Sequence, residues 1–357
     1  MRRYFASAAI VVVSAALAVG TTNATAQSIL LNLPDVSQHA RVTQRIGITD
    51  VTLDYHRPLV RDRKIFGGVQ PYGSVWRAGA NFNTVIEFTD SVSIEGHPLA
   101  KGAYGLHFIP GESSWIVILS KNTTSWGSFT YDQAEDALRV TVHPRAAEHQ
   151  EALSYQFDDL AANSAVITMR WAAVAVPFRI EVNTPRIVAQ SLRDQLRGLA
   201  QREWQAWEEA ANYLLENKLD ANQAAKYADQ SIAIEDRFEN EVVKARALAA
   251  LGRTADAQAT EKKALAMGSQ QQVHSFARGL QGIGNQVQAL EIFRDNIQKD
   301  PTSWIAHSEI SRLDVAKGDF DGAIREMKTA ASLAPPALKS QVNVFVRALE
   351  NRVDINK

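Results

Sequence analysis

The stretch GNQVQALEIFRDNIQKDP (284–301) and the stretch GDFDGAIREMKTAASLAP (318–335) follow one pattern. In both, Gly is followed by Asn or Asp, then by Ala, by a large apolar residue and finally by Pro, and each of these positions recurs after 34 residues. Asn and Asp favour helix starts, Pro cannot continue a helix, and Ala lets two helices approach closely. The pattern therefore predicts a repeated unit of two antiparallel helices.

The same pattern extends towards the N-terminus, with a third copy at Gly252 and a weaker one before it. The predicted N-caps of the second helices are Asp220, Thr254, Asn285 and Asp319. The period resembles that of the tetratricopeptide repeat, a resemblance that implies stacked helical hairpins. A generic helical bundle with a chance period is the alternative. We expect a leading or linker helix at 184–202, repeats over 203–336 and a cap helix at 337–352.

Residues 27–183 show a different pattern. Short runs rich in β-branched and aromatic residues, such as 84–88, 115–119, 165–169 and 178–182, alternate with turn signals such as Pro110-Gly111. Many short strands without a long helical period are typical of an all-β sandwich. The sequence therefore predicts two domains, an N-terminal all-β sandwich and a C-terminal all-α, tetratricopeptide-like helical-hairpin solenoid.

Residues 1–26 have the pattern of a cleaved signal peptide. Arg2 and Arg3 precede a short apolar run, and the predicted cut falls after Ala26. The run is shorter than the roughly 20 apolar residues that span a bilayer, so we expect no transmembrane anchor. A periplasmic or secreted protein is predicted. The alternatives are an N-terminal membrane anchor and, because of the paired arginines, export by the twin-arginine route.

The composition excludes several classes of protein. The chain has 357 residues, 38 Lys and Arg against 39 Asp and Glu, and no cysteine. Without cysteine there is no disulfide framework, thiolate nucleophile or iron–sulfur cluster. Because phosphate binding needs a clustered excess of Lys and Arg, the balanced charge argues against nucleic acid as a partner. We expect no cofactor, and no metal site either, because no histidine pair has the close spacing of metal ligands.

Several motifs of the N-terminal region identify a family resemblance. They are Tyr55-His56-Arg57-Pro58, Arg63-Lys64-Ile65-Phe66-Gly67, Val75-Trp76-Arg77-Ala78-Gly79-Ala80-Asn81, Gly102-Ala103-Tyr104-Gly105-Leu106, Trp126-Gly127 and Asp136-Ala137-Leu138-Arg139-Val140. In this order they resemble the bacterial domain of unknown function 2911, a secreted family that often carries a tetratricopeptide region. The resemblance covers about 34–182. The family usually has Gly where this chain has Asp62 and an acid where it has Ala172. A fold and a compartment are implied, but no activity.

The motif residues form a candidate ligand site on the sandwich. Its members are Arg57, Arg63, Trp76, Arg77, Asn81 and Thr84, together with His107 and Tyr131. A guanidinium beside a tryptophan face and an amide suits an anion or a sugar hydroxyl, so a polymer or a small anionic ligand is expected here. In the structural alternative, Arg77 and Asn81 fasten a sharp loop while Trp76 fills the core.

The same residues allow an enzymatic alternative, a periplasmic hydrolase or lyase that acts on an envelope polymer. Its cleft would form around Arg77, Asn81 and His107, joined by Tyr131 and Asp136. The chain contains no Gly-x-Ser-x-Gly, P-loop or dinucleotide-binding motif. Asp136 also lies three residues before Arg139, which is the spacing of a structural ion pair. We therefore favour a non-catalytic protein.

The helical region carries a candidate partner surface on the first helix of each hairpin. Its predicted members are Trp304, His307, Arg312, His274 and Arg278. Aromatic and arginine side chains are typical of interface hot spots, and stacked hairpins form a concave face. The sequence therefore favours a binding or scaffold protein that holds a protein or peptide on its repeats, with the sandwich as a second recognition surface. In a third interpretation, the Trp-Arg-x-Gly-Ala-Asn loop only docks the two domains together.

Overall fold

The computed structural model describes residues 34–357. Residues 1–26 lie outside this range, so the signal peptide and its cut after Ala26 stay predictions. The strands are β1 (Gln38–Ile46), β2 (Thr49–Arg57), β3 (Thr84–Phe88), β4 (Val92–Ile94), β5 (His97–Leu99), β6 (Gly102–Ile109), β7 (Trp115–Ser120), β8 (Asp136–Val142), β9 (Arg145–Ala161) and β10 (Ser164–Val182).

The strands form two antiparallel sheets. One has six strands in the order β1-β2-β3-β6-β7-β8, and the other has four in the order β5-β4-β10-β9. Alternate residues of β2 are buried, as expected for a strand with one face in a core. A single buried cluster contains Leu53 and Trp115 from the first sheet and Trp171 and Ile180 from the second. The predicted β-sandwich is confirmed.

The two longest strands differ from the sequence-based expectation. Residues 165–169 and 178–182 were expected to be separate short strands, but both belong to β10, which has 19 residues. The register of β10 against β9 shifts on both sides of Ala172, whose φ is +52°. Such a bulge bends a strand without ending it. The strand can therefore pair with β9 along its first part and with β4 along its last.

The helices follow directly after β10. They are α1 (Thr184–Gln195), α2 (Trp204–Glu216), α3 (Ala221–Ile234), α4 (Phe238–Ala250), α5 (Thr254–Met267), α6 (Gln270–Gly282), α7 (Gln286–Asn296), α8 (Trp304–Lys317), α9 (Phe320–Leu333) and α10 (Pro336–Glu350). Helices α2 to α9 pack as four successive pairs, and α10 packs on α9. The predicted helical-hairpin region is confirmed.

The repeated residues have repeated structural roles. Gly252, Gly284 and Gly318 lie in the turns inside three hairpins with φ of 74°, 85° and 82°. This left-handed conformation is unfavourable for residues with a Cβ, which explains the glycine. The repeated Ala and large apolar residues are fully buried: Ala289, Phe293, Ala323 and Met327.

The predicted N-caps are correct in part. The carboxylates of Asp220 and Asp319 accept hydrogen bonds from backbone N–H groups at 3.0 and 2.8 Å, as capping residues do. Thr254 was predicted one position late, because it is the first residue of α5 and Arg253 holds the cap position. Asn285 is at the cap position of α7, but its side chain donates to Gln288 instead.

Helix α1 contacts both parts of the molecule. Ile187 packs against the sandwich core, while Ala189 and Leu192 pack against the first helical cluster. Gly47, in the turn between β1 and β2, packs closely against Thr184 at the start of α1. A Cβ at position 47 would lie only 2.6 Å from the Thr184 side chain. Separately, no helix among the described residues is long and apolar enough to cross a membrane.

Candidate functional site

Helices α6, α8 and α10 line an open groove of about 340 Å³. Four of the five predicted partner-surface residues lie there: His274 and Arg278 from α6, Trp304 and Arg312 from α8. His307 does not line the groove, because its ring is hydrogen-bonded to Glu326 of α9 at 2.6 Å. The remaining lining includes Leu338, Gln341, Val342 and Phe345 of α10. The groove thus combines two guanidinium groups with apolar walls.

Arg312 is the most buried charge of the groove. Its side chain is 1% exposed, and its guanidinium lies 5.0 Å from the centre of the Phe345 ring. Nη1 donates to the carbonyl of Ile355, but Nε has no acceptor within the described residues. Burial, followed by the charge of Arg278, lowers the pKa of Arg312 to about 9. The protein therefore carries a guanidinium whose charge is only partly compensated.

The C-terminal tail supports this arginine pair. Arg278 donates to Gln281, Gln281 donates to Asn356 at 3.0 Å, and Asn356 donates to the backbone carbonyl of Arg312 at 2.9 Å. Burial alone lowers the pKa of Arg278. Because Gln281 and Asn356 are themselves buried, these hydrogen bonds hold both arginines at fixed positions in the groove.

A buried acid lies beneath the groove. Glu309 is fully buried and accepts hydrogen bonds from His274 at 2.9 Å and Asn296 at 2.8 Å, both through Oε1. Its Oε2 has no partner among the described residues. Burial raises the pKa of Glu309, against the opposing effects of His274 and Asn296. The acid orients His274 towards the groove wall that Trp304 and Phe345 also line.

On the sandwich, two predicted ligand residues have structural roles instead. Trp76 is 5% exposed, stacks on Trp171 at 5.5 Å and donates its indole N–H to the carbonyl of Gly79 at 3.0 Å. Thr84 is fully buried and donates to the carbonyl of Ala78. Both side chains are buried and donate to backbone carbonyls, so they contribute to loop and core packing, and their part in ligand binding stays a prediction.

Two predicted arginines also bond to the backbone. Arg57 Nε donates to the carbonyl of Leu153 at 2.8 Å. Arg63 donates to the carbonyls of Val60 at 3.0 Å and Leu59 at 2.6 Å, which closes the turn after β2. Arg57 therefore ties β2 to β9, whereas Arg63 is exposed and also lines a cleft of the sandwich.

Arg77, His107 and Tyr131 come together on the outer side of the six-stranded sheet. Burial and the charge of Arg77 lower the pKa of His107 to about 4, and Nδ1 of His107 is 3.0 Å from Ser128 Oγ. The rings of His107 and Tyr131 are 5.5 Å apart. Tyr131 donates to Asp136 at 2.7 Å, and burial followed by this bond raises its pKa to about 12.

The groups that an enzyme would need here bond to one another. Asp136 pairs with Arg139 at 3.1 Å, as the spacing predicted, and also accepts from Tyr131. Asn81 has a left-handed backbone (φ +56°). Arg77, His107, Tyr131 and Asp136 are thus brought together, but the acid and the phenol are hydrogen-bonded to each other.

An aromatic pair that was not predicted from the sequence lies beside Arg77. Trp126 and Phe129 are 58% and 81% exposed, and their rings stack at 5.9 Å. The Arg77 guanidinium lies 5.6 Å from the centre of the Trp126 ring. A Cβ at Gly127 would meet Phe129 at 2.8 Å and Arg77 at 3.0 Å, so only glycine fits there. The Trp-Gly motif was visible in the sequence, but nothing in it indicated exposure.

The sandwich has a match among known families. Residues 37–180 match the family described as "Protein of unknown function (DUF2911)". This confirms the resemblance deduced from the sequence motifs. The DUF2911 match includes Arg77, His107, Trp126 and Tyr131, and it ends before α1. A search of curated proteins finds no match to this chain.

Several solved structures resemble the helical part of the chain, and two of them are described as TPR proteins. The C-terminal part of a TPR repeat-containing protein from Cytophaga hutchinsonii is 12% identical over 48% of this chain and 68% of that one, with a TM-score of 0.31. "YrrB: a TPR protein with an unusual peptide-binding site" is 14% identical over 46% and 84%, with a TM-score of 0.27. The APC/C hetero-tetramer Cut9-Hcn1 is 16% identical over 42% of this chain, with a TM-score of 0.28. This chain spans only 28% of that chain.

Proposed function

We propose that this chain is an exported, non-catalytic binding protein that holds an extended segment of a partner protein in the α6–α8–α10 groove. The observation that carries the proposal is the groove itself, where α6 contributes His274 and Arg278, α8 contributes Trp304 and the buried Arg312, and α10 completes the lining. Convergent aromatic and arginine side chains in a partly buried depression are typical of binding hot spots.

The chemistry of the groove favours a peptide with both apolar and acidic residues. Trp304, Val342 and Phe345 form walls against which an apolar side chain can pack. Arg278 and Arg312 supply cationic donors, and no Asp or Glu lines the groove with them. A carboxylate between them would offset the mutual repulsion of the two guanidinium groups and their loss of hydration.

The enzymatic alternative has weaker support. His107 is buried, and its pKa of about 4 leaves it neutral at pH 7. A general base can be neutral, but Tyr131 and Asp136 are hydrogen-bonded to each other, and both accept hydrogen bonds from Arg139. We therefore propose a hydrolase or lyase that acts on an envelope polymer only as the interpretation to adopt if no peptide binds the groove.

Selection from a random peptide library tests the proposed function. Twelve-residue peptides displayed on phage are selected on the purified protein, and the affinity of each synthesised peptide is measured by fluorescence anisotropy. Arg278→Gln is expected to weaken binding about tenfold or more, because a charge-assisted hydrogen bond is lost. Trp304→Ala removes an apolar wall and is expected to weaken binding as well.

Arg325→Gln is the matched control. Arg325 is exposed on α9 and does not line the groove, so the same change of charge is expected to leave the affinity unchanged. If the selected peptides bind wild type, Arg278→Gln and Trp304→Ala equally well, the groove is not their site. If no peptide is enriched, the proposed function fails.

Export is the second part of the proposal, supported by the pattern of residues 1–26. N-terminal sequencing of the protein recovered from a periplasmic or culture-medium fraction is expected to begin at Gln27. A protein recovered only from the cytoplasm with residues 1–26 intact would contradict it.

A further inference from the structure

The sandwich contains a second cleft, of about 270 Å³, that shares no residue with the α6–α8–α10 groove. It is lined by the turn after β2, by the loop before β3 and by Trp171 of β10. Three of the lining residues are arginines, Arg61, Arg63 and Arg77, and none is Asp or Glu. A cleft with this lining has a positive potential that favours an anion.

Two buried N–H donors among the lining residues have no acceptor. They are Nε1 of Trp171, a side chain that is 1% exposed, and Nε of Arg77. Buried donors in folded proteins are almost always hydrogen-bonded, so an unpartnered donor needs an explanation. The two donors belong to Arg77, in the loop before β3, and to Trp171 of β10, and both residues line this one cleft. A bound acceptor is a direct explanation.

The charge of Arg77 is not compensated within residues 34–357. No carboxylate lies within ion-pair distance of its guanidinium among these residues, and burial alone lowers its pKa. Its positive charge also contributes to the low pKa of His107. Glu151 accepts a hydrogen bond from the backbone N–H of Arg61 at 3.0 Å and pairs with His149.

The loop that carries Arg77 is held in an unusual conformation. Ala78 and Asn81 have φ of +53° and +56°, which residues with a Cβ rarely adopt. The carbonyl of Ala78 accepts hydrogen bonds from the hydroxyls of Tyr155 at 2.7 Å and Thr84 at 3.1 Å. Strain that surrounding contacts maintain in this way is concentrated at functional sites, where it positions groups in advance.

We propose that this cleft binds a small ligand through an oxyanion group, a carboxylate or a phosphate or sulfate ester, with Arg61, Arg63 and Arg77 as its charged partners. Guanidinium groups bind both kinds of oxyanion with paired hydrogen bonds. Arg63 already donates to two carbonyls, so Arg61 and Arg77 are the partners with more free donors. This site is independent of the peptide groove.

Calorimetric titration of the full chain at low ionic strength tests the proposal, with sodium phosphate and sodium citrate as the two probes. Binding of phosphate alone, or of citrate alone, identifies which oxyanion the cleft accepts. Arg77→Gln and Arg61→Gln are each expected to weaken binding about tenfold or more. Arg41→Gln, an exposed arginine of β1, is the control with the same change of charge. Arg278→Gln controls for anions bound in the helical groove.

The titration of His107 reports on the charge of Arg77, which lines this cleft. An anion that compensates Arg77 removes a cause of the low pKa of His107, so that pKa is expected to rise when the probe saturates the protein. Nuclear magnetic resonance of histidine-labelled protein measures it, with His107→Gln to assign the signal. If neither probe binds, or if Arg61→Gln and Arg77→Gln bind as wild type does, the proposal is wrong. Since Arg61 is exposed on a turn, its variant is expected to fold even if Arg77→Gln does not.

Discussion

Arg312 shows how single residues define the groove. Its side chain is 1% exposed, and its charge is stabilised by the carbonyl of Ile355, by the face of Phe345 and, more weakly than burial opposes it, by Glu309 and Asp354. A well-packed apolar residue of similar size would often be at least as stable there. The arrangement is therefore better explained by binding than by stability, which fits a carboxylate as the missing partner.

The first prediction concerns Asn356, which joins the tail to this arginine. Asn356→Ala removes two buried hydrogen bonds, to Gln281 and to the carbonyl of Arg312, and is expected to lower the free energy of unfolding by about 2–3 kcal/mol. Asn351→Ala removes a single exposed bond to Arg347 and is expected to cost less than about 1 kcal/mol. Urea denaturation measures both. Equal losses in the free energy of unfolding would contradict the proposal that Asn356 holds the tail against Arg312.

The stability of the protein is also expected to depend on pH through His107. The pKa of His107 is about 4 in the folded protein, whereas an unfolded chain gives the ordinary value of 6.5. Between pH 6.5 and pH 4, His107 gains a proton in the unfolded chain but stays neutral in the folded protein. The free energy of unfolding is therefore undiminished above pH 6.5 and decreases as the pH falls towards 4. The loss amounts to roughly 3 kcal/mol.

Urea denaturation at pH 7 and pH 4.5 tests this dependence. His107→Gln is expected to be less sensitive to acid than wild type, whereas His97→Gln, which removes an exposed histidine of β5, is expected to keep the wild-type sensitivity. Equal acid sensitivity of wild type and His107→Gln would show that His107 is not the group responsible.

At the scale of elements, the hairpins follow from a few residues at a fixed period. Gly318 lies in the turn between α8 and α9 with φ +82°, while Gly279 lies inside α6 with open space around it. The same substitution is therefore expected to have opposite effects at the two positions. Gly318→Ala is expected to lower the free energy of unfolding by about 1 kcal/mol.

Gly279→Ala is expected to raise the free energy of unfolding by about 0.5–1 kcal/mol, because alanine is a better helix former than glycine. Thermal and urea denaturation of the two variants measure both signs. A loss of stability in Gly279→Ala would contradict a helical position inside α6, and no loss in Gly318→Ala would contradict the end of α8 at Lys317.

The sequence was informative about elements to different degrees. The 34-residue period predicted the hairpins because Gly284 and Gly318 have the same backbone requirement. The length of β10 could not be predicted, since the bulge at Ala172 depends on pairing with strands distant in sequence. For the groove, Arg278 and Trp304 were found by residue type on expected first helices, whereas His307 faces α9. The burial of Trp76 between two sheets could not be predicted, because it is a tertiary property.

Residues 34–357 contain four separate hydrophobic cores. One belongs to the sandwich and three to successive parts of the helical region. We therefore propose the domain boundaries expected from the sequence, 27–183 for the sandwich and 184–357 for the helices. Helix α1 contacts both parts, so its position couples them.

Phe293→Ala tests this division. Phe293 is fully buried in the core that joins α6 and α7, and its removal is expected to destabilise the helical region by about 3–5 kcal/mol. Hydrogen exchange followed by mass spectrometry is expected to show faster exchange in α6 and α7 and unchanged exchange in β6 and β7. Faster exchange throughout both regions would mean that they unfold as one unit.

The most direct test of the central claim is hydrogen exchange with a selected acidic peptide at saturating concentration. Binding in the groove predicts slower exchange confined to α6, α8 and α10, and weaker protection of the same helices in Arg278→Gln at the same peptide concentration. Protection on the strands of the sandwich, or identical protection in wild type and Arg278→Gln, would contradict the claim that Arg278, Trp304 and Arg312 form the binding site.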